Sequence, residues 1–171
     1  VVLRKLDISN FSSTSMSNWT EFVNRLKYPK NTVNIGLIGK YVELQDSYKS
    51  ILEALVHAGS VNETKVVIHS IHSEFIDDDQ INNQISKLDG VIVAPGFGSR
   101  GIEGKIKSIK YVRENNIPFF GICLGMQMAV IEYSRNILNL EDSNSTEMDE
   151  KTSHPVISLM QDQKNIINKG R

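Results

Sequence analysis

Cys123 is the only cysteine in the chain, and it stands in Gly121-Ile122-Cys123-Leu124-Gly125, directly after the apolar run Pro118-Phe119-Phe120. A tight turn from strand to helix holds its central residue outward, and a glycine two positions to either side removes the clashes such a turn creates. The G-x-S-x-G elbow of hydrolases is built this way, and G-x-C-x-G is its thiol counterpart. A helix N-terminus behind a thiol favours the anion and offers free N–H groups to an oxyanion. The other reading of Cys123 is a buried core thiol, the commonest setting for a free cysteine. A second segment, Pro95-Gly96-Phe97-Gly98, places two glycines one residue apart, so a backbone N–H can approach a ligand closely. With the Leu124 amide, the Gly96 amide could form an oxyanion hole; the alternative is a plain strand-to-helix loop. A thiol nucleophile also needs a base, usually His, oriented by a third group. The histidines are His57, His69, His72 and His154. The first lies on an expected helix, the second within an expected strand and the third just past that strand, all three read as structural or exposed. His154 follows Cys123 in Ser153-His154-Pro155-Val156.

These residues need elements to hold them. From residue 32 the pattern alternates between strands and helices. Short apolar runs at 33–39, 65–71, 89–95 and 118–122 predict strands. Amphipathic stretches at 46–59, 75–88, 101–115 and 124–138 predict helices, the first with Tyr48, Leu52, Leu55 and Val56 inward and Gly59 as its stop. The stretch 75–88 is polar and weaker. The helix at 124–138 is apolar nearly all round at its start, which predicts burial. Continuous apolar strands alternating with helices predict an α/β fold, a mostly parallel sheet with helices on both faces. Ligand sites in such sheets gather at the carboxyl ends of strands. Gly39-Lys40-Tyr41, the 95–101 loop and Cys123 all fall there. Residues 1–31 read as a connector: a Ser-rich stretch at 11–18, then one short helix with Trp19, Phe22, Val23 and Leu26 on a stripe ended by Pro29.

Bulk properties narrow the classes. The chain has 171 residues, 40% hydrophobic and 23% charged, with a formal net charge of −1. That predicts a globular domain with a real core and no basic face for nucleic acid. One cysteine excludes an intrachain disulfide and a multi-cysteine metal site, so no metal is expected. No apolar run reaches the roughly 18 residues that span a bilayer, and the first residues lack the marks of a signal peptide, so a cytoplasmic location without membrane attachment is expected.

Together, IGKYVELQDSYKS, VIVAPGFGSRGIEGKI, ENNIPFFGICLGMQMAVIEYSRN and DSNSTEM resemble the class I glutamine amidotransferase domain of CTP synthases, over nearly the whole chain. GICLGMQ alone resembles many amidotransferases; GKY with DSYKS, RGIEG and NSTEM narrow the likeness. The resemblance implies a flavodoxin-like class I amidotransferase fold, with 1–31 as interdomain linker and 32–171 as a partial amidotransferase domain, incomplete at the C-terminus. It implies that Cys123 forms a γ-glutamyl thioester and that ammonia goes to a synthetase domain of the same polypeptide, which aminates ATP-activated UTP to CTP. Gly96 and Leu124 match the oxyanion-hole positions, and Gly96, Phe97, Leu124, Gln127 and Glu147 match the glutamine-binding set. Gln127 also lies one helical turn from Cys123 and faces the same way. Arg100, Gly101 and Glu103 match a lid loop linked to activation by GTP, and Lys40 matches a lysine that couples the domains. No cofactor is implied for this chain; ATP and magnesium belong to the synthetase domain, and the parent assembles as a homotetramer. Two departures stand out. Ala94-Pro95-Gly96-Phe97 has one glycine where the family often has two. The family's base sits in a His-Pro-Glu motif nearer the domain's C-terminus, whereas His154-Pro155 precedes Val156 and comes too early. His154 therefore reads as a decoy, the base and its carboxylate are expected to be missing, and the chain as given is expected to have little activity. Two alternatives remain: another class I amidotransferase, and a non-catalytic regulatory or assembly module of the same fold.

Overall fold

The computed structural model describes residues 2–8 and 15–160; part of the Ser-rich stretch and the last eleven residues lie outside them. The elements run α1 (Val2–Lys5), α2 (Ser17–Lys27), β1 (Asn31–Gly39), α3 (Lys49–Val61), β2 (Thr64–His72), α4 (Ile81–Ile85), β3 (Gly90–Val93), α5 (Ile102–Glu114), β4 (Phe119–Gly121), α6 (Leu124–Asn136), β5 (Asn144–Ser145) and β6 (Pro155–Ile157). The main sheet has four strands in the order β2-β1-β3-β4, and every pairing is parallel. β5 and β6 form a separate parallel pair.

Period-two alternation sorts the sheet's side chains. Leu37 faces one side and clusters with Tyr48 and Ala94, with Ile51 and Leu52 of α3 packed on them. Ile38 faces the other and joins Ile71, Val91, Val93 and the inner stripes of α4, α5 and α6 in the main core. Helices thus cover both faces, as the apolar strands require. The register levels the strand ends: Ile38 aligns with Val93, and Val93 with Gly121. Lys40, the 94–101 loop and Cys123 therefore leave the sheet at one height.

Several elements depart from the sequence expectation. α3 runs through Gly59 to Val61. Gly59 is a packing glycine, since a Cβ there would lie 2.6 Å from the Thr64 carbonyl oxygen where β2 begins. The expected helix at 75–88 reduces to a 3₁₀ turn at 73–75 and the short α4, because its acidic start offers no apolar stripe to bury. α6 is less enclosed than its composition predicts, with Met126 and Tyr133 about half exposed. α2 rests on α3 through Phe22, whose ring meets His57 edge-on at 5.7 Å, while Trp19 stays 62% exposed. No helix among the described residues is long and apolar enough to cross a membrane.

Candidate active site

Cys123 sits at φ +52°, ψ −106°, between the end of β4 and the first residue of α6. A non-glycine residue held at positive φ is strained, and such strain concentrates at functional sites. The surroundings impose it. A Cβ on Gly121 would lie 2.7 Å from the Gly125 carbonyl group, and one on Gly125 would lie 2.1 Å from the Val93 carbonyl oxygen. The turn can close only with glycine at both positions. Ile122 donates its N–H to the Val93 carbonyl at 3.0 Å and Gly125 to the Ile122 carbonyl at 2.9 Å, which locks the elbow to β3. The thiol at its tip is exposed, so the buried-core reading of Cys123 fails.

The 94–98 loop leaves β3 next to this elbow. Gly96 stands against Leu124: a Cβ on Gly96 would lie 3.6 Å from the Leu124 side chain, an ordinary contact. Gly96 is therefore not required by packing, whereas Gly98 is held at φ +75°. Phe97 is 81% exposed. Two lysines hold the loop: the Lys105 ammonium donates to the Ala94 carbonyl at 2.9 Å, and the Lys40 ammonium to the Phe97 carbonyl at 3.3 Å. Lys40 is itself positioned by Tyr48, whose hydroxyl accepts the Lys40 and Tyr41 N–H groups at 3.1 and 3.3 Å. Sequence reading singled out GKY and DSYKS without this link; Lys105 it missed, because a lysine on a helix reads as solvated.

Beside α6, a cleft of about 550 Å³ is lined by Gln127, Ser145, Thr146, Glu147, Ile157 and Met160 among others. The β5–β6 pair forms its wall, and the Ser145 hydroxyl accepts the Glu147 N–H at 3.2 Å. Gln127 Oε1 is buried without a partner, an acceptor left for a ligand's donor. Cys123, Gly96 and Phe97 do not line the cleft itself. Arg100 pairs with Glu74 at 2.5 Å and Glu103 with Arg135 at 3.1 Å. Gly101, at φ +76°, caps the start of α5, where a Cβ would meet the Ser73 hydroxyl oxygen at 2.4 Å.

The four histidines of the chain all lie in described residues. His69 and His72 belong to β2, three strand spacings or roughly 14 Å across the sheet from β4. His57 packs on Phe22. His154 Nδ1 is engaged by Asp142 at 2.5 Å and by Ser153 Oγ at 3.0 Å. Both contacts fall on one ring nitrogen, so this trio is a turn-fixing network rather than a relay. Among the described residues no group of three or more His, Cys, Asp or Glu side chains could hold a metal ion.

A family profile described as glutamine amidotransferase class-I matches residues 43–170. The chain belongs to the class I glutamine amidotransferase family. Its similarity extends to CTP synthases: 66% identity over 170 residues with that of Flavobacterium johnsoniae and 50% over 176 residues with that of Methanocaldococcus jannaschii, each over 99% of this chain. The amidotransferase chain spans 32% of either relative's length. A solved structure, the glutaminase domain of Trypanosoma brucei CTPS with bound acivicin, superposes at a TM-score of 0.74 and 36% identity. That match covers 78% of this chain and 52% of the other. The mostly parallel α/β sheet expected from the strand–helix alternation, and the class I amidotransferase fold that the resemblance implied, are thus shown.

Proposed function

We propose that Cys123 attacks the side-chain carboxamide of glutamine, in the service of CTP synthesis by the longer protein that the relatives represent. The thiolate forms a C–S bond to the amide carbon, and the carbonyl electrons move to oxygen. Collapse re-forms C=O, breaks C–N and releases ammonia, the nitrogen taking up a proton. Water then cleaves the thioester to glutamate and free thiol. The N–H groups of Gly96 and Leu124 receive the oxyanion. Gln127 and Glu147 hold the amino-acid end, Glu147 by its charge on the α-ammonium, and Phe97 covers the bound molecule. A synthetase domain of the same polypeptide uses the ammonia to aminate ATP-activated UTP. Arg100, Gly101 and Glu103 form the lid that GTP acts on, and Lys40 couples the two domains. The strained elbow of Cys123, level with the 94–98 loop, carries this reading.

The placement of the four histidines favours a second reading, in which this chain binds and acylates with glutamine but turns over slowly. A chloroketone analogue of glutamine tests the first. Stoichiometric labelling of Cys123 by intact mass, prevented by glutamine and lost in Cys123→Ala, is expected; labelling no faster than that of a free thiol overturns it. Ammonia release under saturating glutamine separates the second reading, which requires labelling with little release.

A further inference from the structure

Lys105 is 1% exposed, on the inner face of α5 among Ile102, Ile106 and Ile109. Among the described residues no carboxylate pairs with it, and its ammonium makes one hydrogen bond, to the Ala94 carbonyl at 2.9 Å. An unpaired buried ammonium is costly, and an apolar side chain of the same length would fill this place without that cost. The charge lies directly behind the 94–98 loop: a Cβ on Gly96 would be 3.7 Å from Nζ. We infer that Lys105 is a positioning residue of the cysteine site, fixing the peptide planes that lead into Gly96 and supplying positive potential where negative charge develops on the sulfur and the oxyanion. This rests on the reading of Cys123 as the group that attacks glutamine.

The ionic surroundings agree. Burial first, and the Lys40 charge second, press the Lys105 ammonium down to about 8; the Cys123 thiolate acts in the opposite sense. The carboxylates near it on the packed segments are engaged elsewhere: Glu74 with Arg100, Glu103 of α5 with Arg135 of α6, and the buried Glu132 of α6 with Arg113 of α5, while Lys107 pairs with Asp78 and Lys110 is exposed. Lys40, at the end of β1, holds the Phe97 carbonyl. The loop is thus gripped at both ends by cations, one buried and one partly exposed.

The test uses the full chain and its Lys105→Met and Lys105→Arg variants, with two thiol reagents. The glutamine chloroketone adds through a tetrahedral oxyanion; iodoacetamide reacts by displacement and forms none. Lys105→Met is expected to lower the saturating rate of chloroketone labelling at least tenfold, with little change in half-saturating concentration and a smaller effect on iodoacetamide. The ratio of the two rates should fall above about pH 8 in the unsubstituted chain as the ammonium is lost. That fall should be absent in Lys105→Met and displaced upward in Lys105→Arg. Equal rates and equal pH profiles in folded Lys105→Met overturn the inference alone. If circular dichroism shows Lys105→Met unfolded, the profile of Lys105→Arg decides, and an unmoved profile overturns it. Absence of glutamine-protected labelling in the unsubstituted chain overturns the glutaminase reading and this inference with it.

Discussion

Gln127 and Gly96 are two residues where stability and function should separate. Gln127 Oε1 is buried and unpartnered, so the folded chain carries a desolvation cost of about 1–3 kcal/mol for that oxygen. Replacing it by methionine removes the cost at similar volume. Gln127→Met should raise the urea midpoint slightly and weaken glutamine's protection of Cys123 against labelling by tenfold or more. A variant that loses both stability and protection would instead mark Gln127 as a core residue. Gly96→Ala makes the complementary case. Its nearest neighbour would be 3.6 Å away, so folding should be unchanged within about 0.5 kcal/mol. A methyl group beside the oxyanion position should still slow chloroketone labelling, and labelling at the original rate would remove Gly96 from the hole.

At the scale of elements, the 94–98 loop makes one ladder bond, from the Ala94 N–H to the Ile38 carbonyl at 2.9 Å, and otherwise depends on what β1, the 3₁₀ turn before α3 and α5 bring to it. Tyr48 is the keystone on the β1 side: 5% exposed, packed under Gly39, and accepting two backbone N–H groups. Tyr48→Phe keeps the packing and frees the Lys40 and Tyr41 amides. It should cost about 1 kcal/mol in urea unfolding and slow chloroketone labelling severalfold by loosening Lys40 from the Phe97 carbonyl. Unchanged labelling at reduced stability would confine Tyr48 to the fold. The sequence made the strands legible because a parallel sheet buries both faces of β1 and β3, leaving unbroken apolar runs. It made the elbow legible because sterics there admit only glycine at 121 and 125. The 75–88 stretch departs from one long helix although Ile81, Ile85 and Leu88 recur at helical spacing: Ile76 and Leu88 reach the core from extended or turn backbone on either side of the short α4. Lys105 was illegible for a different reason: residue type and helical spacing place it with the solvated Lys107 and Lys110, and only the tertiary approach of β3 buries it.

For the molecule as a whole, two groups should shape stability against pH, in separate windows. Hydrogen bonds from His154 and Ser153 hold the Asp142 carboxyl well below the usual carboxylate range. A depressed carboxylate stabilises above its unfolded value, and that contribution is lost as pH falls into the acid range. Lys105 works at the alkaline end. Its folded value is about 8, against 10.5 unfolded, so between those pH values the unfolded chain binds the extra proton and stability rises with pH. Below about pH 8 the penalty of the buried ammonium is fully present, about 3 kcal/mol. Lys105→Met should therefore be more stable than the unsubstituted chain at pH 6.5, by an amount that shrinks through pH 9.5. Urea unfolding at those two pH values and at pH 8 measures it. A gap that stays constant across the series would mean that Lys105 carries no buried charge, and the electrostatic half of its proposed role would fall. A gap that closes, alongside slower chemistry in the more stable variant, would mean that the fold gives up stability at this lysine to hold a cation behind the cysteine.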